Sequence, residues 1–245
     1  MARVYWKGSL KIMTRCNIGC IFFCVIFLWT SPLVHAQTAP FKKGETIRFA
    51  VKQSVVKVGE ATLVFKGETY REGKKYTLIV FTAKGFNFYD EERIFVDAKT
   101  FLPQVVMRDL NIFGGREQIM EEYDHAAGTI KVTKMLEGHE PTSVIIEKKG
   151  PVDNIYGFIY RYRMQEKLVK DEKFDVRLPT LDLKISGVKD VEFKAAGKMY
   201  KAVLLNSVPS KYSIWMDKSE KRLPLRIGGA IGIANTVMTM IDYKE

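Results

Sequence analysis

The sequence predicts a mostly β protein: one strongly curved antiparallel meander sheet, a half-barrel, with a single amphipathic helix packed on it or in it. Three observations predict this. Apolar and polar residues alternate with period two over most of the chain, the breaks between the alternating runs are short and have turn chemistry, and only residues 150–168 place their apolar side chains at helical spacing.

The first element is a leader. Arg3, Lys7, Lys11 and Arg15 precede an uncharged run whose apolar core is Ile21-Phe22-Phe23-Cys24-Val25-Ile26-Phe27-Leu28-Trp29. After the helix-breaking Pro32 come Val34-His35-Ala36, small residues at the two places that a signal peptidase reads, so residues 1–36 are expected to be a cleaved signal peptide. Translation from Met13 and an uncleaved single-span anchor are the alternatives. Cys16, Cys20 and Cys24 all fall in the leader, so the expected mature chain has no cysteine to form an internal disulfide.

Residues 37–245 are long enough for one all-β domain with a full core, and no Pro-, Gly- or Ser-rich linker divides them. The formal net charge of +11 falls to +7 once the four basic leader residues are removed, and the remaining cations are dispersed as pairs such as Lys42-Lys43, Lys74-Lys75 and Lys148-Lys149. A nucleic-acid partner would ask for a concentrated basic stripe, and export separates the protein from one.

The strands follow in order. Ile47, Phe49 and Val51 point to one face and Arg48 and Ala50 to the other, and the alternation recurs in residues 62–66 and 76–83. Hairpin turns are expected at Arg71-Glu72-Gly73-Lys74, His125-Ala126-Ala127-Gly128, Glu137-Gly138-His139-Glu140 and Ala195-Ala196-Gly197-Lys198. One pattern occurs twice: residues 94–103 and 214–224 each read as a strand, an Asp that can bond the backbone two residues on, a polar turn, and Leu-Pro opening a return strand. Two similar parts of one sheet, or two unrelated hairpins with good turn chemistry, both account for it.

The helix is the exception in this β chain. Asp153 is placed to cap it after Pro151; Ile155, Phe158, Ile159 and Tyr162 form one apolar stripe, and Arg161, Arg163, Gln165 and Glu166 lie away from it. A solitary helix must bury that stripe on the sheet, as core or as the wall of a ligand cavity.

No catalytic or metal motif appears. His125 and His139, the histidines beyond the leader, fall in expected turns, and Glu91-Glu92 and Glu121-Glu122 each point to opposite sheet faces, so neither pair is a ready acid/base dyad. Gly228-Gly229-Ala230-Ile231-Gly232 lacks dinucleotide-loop spacing and is expected to allow a bend or bulge. No cofactor, no metal and no enzymatic activity are expected.

Lys43-Gly44-Glu45-Thr46-Ile47-Arg48-Phe49, residues 153–163, and Trp215-Met216-Asp217 leading to Arg222-Leu223-Pro224-Leu225-Arg226-Ile227, in that order, resemble a bacterial family catalogued as domain of unknown function 3108 (DUF3108). The resemblance spans almost all of residues 37–245 and implies an exported envelope protein with a half-barrel of antiparallel strands. The Trp-x-Asp to Leu-Pro hairpin is also similar to one in the periplasmic lipoprotein-carrier proteins, whose curved sheet holds acyl chains; a single convincing helix departs from the helical lid of those carriers.

The expectation is thus a periplasmic envelope protein, not membrane-spanning once mature, that binds an apolar or lipidic ligand or a lipoprotein on the concave face of the sheet. Phe86, Phe88, Ile155, Phe158, Ile159, Tyr162 and Trp215 are the candidate walls. The alternative is a structural or interaction protein with a filled core that docks another envelope protein. N-terminal sequencing of the exported chain is expected to begin at Gln37; residues 1–36 retained in a membrane fraction would overturn the cleaved leader.

Overall fold

The computed structural model describes residues 39–165, 171–229, 231 and 236–245. The expectations for residues 1–36 with their cysteines, for residues 166–168, and for Ala230 and Gly232 lie outside the described residues. Strands β1 (Thr46–Gln53), β2 (Val56–Arg71), β3 (Lys74–Gly85), β4 (Phe88–Val96), β5 (Pro103–Ile112), β6 (Gly115–Asp124), β7 (Thr129–Leu136) and β8 (Thr142–Glu147) precede helix α1 (Ile155–Arg163). Strands β9 (Lys173–Leu178), β10 (Leu181–Ala195), β11 (Lys198–Val208), β12 (Ser213–Asp217), β13 (Pro224–Gly228) and β14 (Thr236–Lys244) follow it.

The strands form one 14-stranded sheet in the order β8-β7-β6-β5-β4-β3-β2-β1-β14-β13-β12-β11-β10-β9. Every neighbouring pair is antiparallel, so the chain meanders from β1 to one edge, crosses as α1 to the other edge, and meanders back until β14 pairs with β1. The turns are those the local sequence favours. Glu72-Gly73 and Ala196-Gly197 take φ of 50° and 74°, and of 46° and 76°, the mirror-image turn that matches strand twist.

The two Asp…Leu-Pro hairpins have the same geometry. The Asp97 N–H donates to the Leu102 carbonyl and the Asp217 N–H to the Leu223 carbonyl, at 3.0 and 2.8 Å. Each carboxylate accepts from the backbone two residues on, at Lys99 and Ser219. Phe101 and Arg222 both turn left-handed just before the Leu, and Pro103 and Pro224 each open the return strand, where a missing N–H costs no ladder bond. The pattern therefore specifies one local structure, used once on each side of the β1–β14 junction.

The sheet does not close, because its edges β8 and β9 are not paired with each other. The segment between β8 and α1 crosses the seam instead: the Arg177 guanidinium of β9 donates to the Lys149 carbonyl at 2.9 Å, and the Asp153 N–H donates to the Arg177 carbonyl.

Helix α1 is a plug rather than an amphipathic surface helix. Ile155, Phe158, Ile159 and Tyr162 are buried as expected, but so are Tyr156 and Tyr160, outside that stripe, and Arg163, expected to lie away from it. Tyr156 stacks on Phe81 with ring centroids 4.3 Å apart, and Tyr160 packs edge-on against Phe41 at 4.8 Å. Gly157 is where backbone meets backbone: a Cβ there would lie 2.8 Å from the Phe101 carbonyl oxygen. The N-cap is Asn154, not Asp153; its Oδ1 accepts from the Tyr156 N–H at 2.9 Å, while Asp153 pairs with Arg161 at 2.7 Å.

Arg163 ends the helix inside the core because Glu45 meets it there. Both side chains are fully buried, and the guanidinium donates to the two carboxylate oxygens at 2.6 and 2.8 Å. The Tyr160 and Tyr243 hydroxyls donate to the same carboxylate, and Arg163 also donates to the Lys221 carbonyl at 3.0 Å. A cation in the last turn complements the helix dipole as well.

Among the described residues, the buried core belongs to Gln37–Glu245, one compact unit with its own hydrogen-bonded sheet. Replacing Arg163 with Met strands the Glu45 charge in the core and is expected to cost about 3–5 kcal/mol of stability, whereas the E45L/R163M pair recovers most of that loss. Chemical denaturation of the two variants checks it; equal losses would mean that the pair does not act as a unit.

Candidate functional site

Where the core is not filled, the sheet supplies polar groups. Register places Glu92 of β4 opposite Arg108 of β5, Arg108 opposite Ile119 of β6, and Val106 opposite Glu121, so these side chains share the face against which the N-terminal end of α1 is packed. With Tyr123, Asp153, Asn154 and Tyr156 they line a cavity of about 230 Å³, to which Leu178, Pro179, Thr180 and Tyr212 also contribute.

The charges in it are unevenly matched. Arg108 donates two parallel bonds to the buried Asp90, at 2.8 and 2.6 Å, so its fork is engaged by that carboxylate. Glu92 takes its hydrogen bond from the Asn154 amide, whose oxygen caps α1. Burial pushes the Glu92 carboxyl up to about 7, the nearby Arg108 charge opposing the shift and Asp90 and Glu121 adding to it. Burial likewise raises Glu121, which accepts from the Tyr123 hydroxyl, and Asp153, which Arg161 partly compensates.

Tyr156 completes the cavity. The residue is 1% exposed, and its hydroxyl has no hydrogen-bond partner among the described residues. Such a group sits at a cost unless something else meets it. Among the described residues no three His, Cys, Asp or Glu side chains converge as metal ligands. His125 instead bonds the Pro103 carbonyl at 2.7 Å, and His139 is exposed in its turn.

The candidate walls named from the sequence are not brought together. Phe158, Ile159 and Tyr162 are core, the rings of Phe158 and Tyr162 packing on Phe174. Phe86 is 95% exposed at a turn, and Phe88 lies over Gly59 and Gly85. Trp215 is half-buried between Phe193 and Arg226, its ring 4.8 Å from the guanidinium, while its strand neighbours Ile214 and Met216 enter the core; it covers the outer face and not a cleft beside the helix. Only Ile155 of the set lines the cavity.

Sequence reasoning passed over the residues that do. Glu91-Glu92 and Glu121-Glu122 are each split across the sheet as expected, but the inward member of each pair faces the same cavity. The signal lay in strand register, which the two-residue turn at Phe113-Gly114 sets for β5 and β6. Gly229 of the glycine-rich segment, where a bend or bulge is expected, has φ of 82° and passes so close to the Lys211 carbonyl that a Cβ could not fit.

Glu92 couples the cavity to pH. The folded chain keeps this proton up to about pH 7, and the unfolded chain releases it near 4.5. The penalty is therefore absent below the lower value and grows as pH rises to the upper one. Between pH 5 and pH 8 the wild type is expected to lose about 2–3 kcal/mol more than E92Q, read from urea denaturation. Parallel curves would mean that Glu92 is ionised in the folded state.

No curated protein matches the chain in sequence. Among solved structures it is similar to a β-barrel-like protein of the domain of unknown function DUF1849 from Brucella abortus, at 7% identity and a TM-score of 0.46, over 82% of this chain and 97% of that one. A family model described as a protein of unknown function, DUF3108, matches residues 46–242, from the first residue of β1 into β14, and the chain belongs to that family.

Proposed function

We propose that the protein is exported through its cleaved leader and acts in the periplasm as a non-enzymatic binding protein, with the cavity between β4–β6 and the N-terminal end of α1 as its ligand site. The observation that carries this reading is the buried, unpartnered Tyr156 hydroxyl beside Glu92 in a space that the core leaves open. Asp90, Glu92, Glu121 and Asp153 outnumber Arg108 and Arg161 around it, which favours a ligand that donates hydrogen bonds or carries positive charge. Val106, Ile119 and Leu178 give such a ligand apolar contact. A small amine with a short apolar body fits this lining.

An acyl chain on the concave face has less support. The stripe meant to hold it is packed against the protein's own rings, and about 230 Å³ is below the roughly 300–1,000 Å³ of pockets for drug-sized ligands. The same packing favours, as a second reading, a filled-core interaction protein of the envelope.

Native mass spectrometry of the protein isolated from its host distinguishes these. A small polar adduct is expected, lost in Tyr156→Phe and Glu121→Gln. Removing an unbonded hydroxyl is expected to leave Tyr156→Phe at least as stable as the wild type. A co-purified phospholipid or fatty acid would return the reading to an apolar ligand; ligand-free spectra with no thermal shift from a panel of small amines would favour the interaction protein.

A further inference from the structure

We propose that the end of the sheet bearing the β1–β2, β3–β4 and β5–β6 turns is a docking surface for an anionic lipid bilayer. Antiparallel neighbours return at alternate ends, so these three turns lie side by side at one end. Their tips are Val55, Phe86 and Phe113, exposed to 88%, 95% and 81%. The tips sit on a rigid platform: the Phe113 N–H donates to the Asn87 carbonyl at 2.9 Å, and the Phe88 ring is seated on Gly59 and Gly85.

Turn chemistry does not account for these residues. Phe113 has φ of 52°, nearly the angle of Glu72 and Ala196 in the matching turns elsewhere, and a bulky aromatic is uncommon at such a φ. The turns at the opposite end of the same strands are polar, with Glu72-Gly73, Asp97 to Thr100 and Asp124 to Ala127 at their tips. Apolar side chains at the tips of one end and polar ones at the other make the molecule two-ended.

Charge selects the occupant. Lys52, Lys84 and Arg116 stand exposed beside the tips and form no ion pair among the described residues. Of the carboxylates near Lys52 and Lys84, Glu60 is engaged by Arg48 and Lys57 and Asp90 by Arg108, and burial withdraws Asp90 from the surface; on the β6 side the Glu137 N–H donates to the Arg116 carbonyl at 3.2 Å. Residues 37–245 carry a formal excess of positive charge as a whole. Separated apolar tips backed by free cations match a layer of anionic headgroups over hydrocarbon, the tips entering the interface and the cations meeting phosphates. The β7–β8 turn, with Glu137 and Glu140 exposed, marks where this surface stops.

Sedimentation of the Gln37–Glu245 unit with vesicles of phosphatidylglycerol and phosphatidylcholine tests the proposal, with pure phosphatidylcholine as reference. Binding is expected on the anionic vesicles and is expected to weaken with salt. At least tenfold loss is expected for V55S/F86S/F113S and for K52Q/K84Q/R116Q, and none for Y70S on the polar end. In F86W, anionic vesicles are expected to shift the added tryptophan's emission to the blue beyond any change in the wild-type Trp215 signal, a readout independent of the triple variants' folding. No binding by the wild type, equal binding by the triple variants, an unshifted F86W, or capture of the rim by a folded protein without vesicle binding would each overturn it.

Discussion

The buried pair of Glu45 and Arg163 is the constraint on which the rest of the structure depends. Two full charges at the end of a nine-residue helix are tolerable in a core only if each meets the other and the remaining hydrogen-bonding capacity is met locally. Tyr160, Tyr243 and the Lys221 carbonyl do most of that, leaving the Arg163 Nε unbonded. The arrangement ties α1 to the residue just before β1 and to the last strand, β14, at the junction between the two runs of the meander. A helix too short to be stable in water is thereby held in one register inside the sheet.

Holding one end determines the other. With Arg163 seated, α1 can extend only as far as Asn154, whose amide reaches Glu92 midway along β4. The aromatic stack of Phe81 and Tyr156 fills the middle, and beyond it the helix has no more side chains to offer. The polar cavity is what remains between the N-terminal end of the plug and strands that continue past it. Its carboxylates are costly by themselves, and burial expresses that cost by pushing Glu92 and Glu121 upward.

The open seam has the same origin. The sheet cannot pair β8 to β9 because the chain must pass from one edge to the other through the interior, and the entering segment occupies the gap. The two-ended character of the turns, apolar at one rim and polar at the other, is a separate property of the loops and leaves the core unchanged.

The sequence by itself determined the class of the fold: period-two alternation, the mirror-image turns and the paired Asp…Leu-Pro hairpins are local rules, and each element follows from residues within a few positions of it. It also located α1, the one helix among the described residues. What it could not decide was which helix faces are covered, because periodicity sets Arg163 away from the apolar stripe, leaves Tyr156 out of it, and cannot see Glu45 or Phe81, more than seventy positions away, arriving to meet them. Trp215 is a like case, since alternation assigns it a face without saying which face becomes the inside. The candidate site depends on tertiary structure most of all: Glu92, Arg108 and Glu121 are unremarkable strand residues until register aligns β4, β5 and β6 and the end of α1 removes their water. Local geometry is written in nearest neighbours, whereas burial, and every charge perturbation that follows from it, belongs to contacts that exist only once the sheet has curved around the helix.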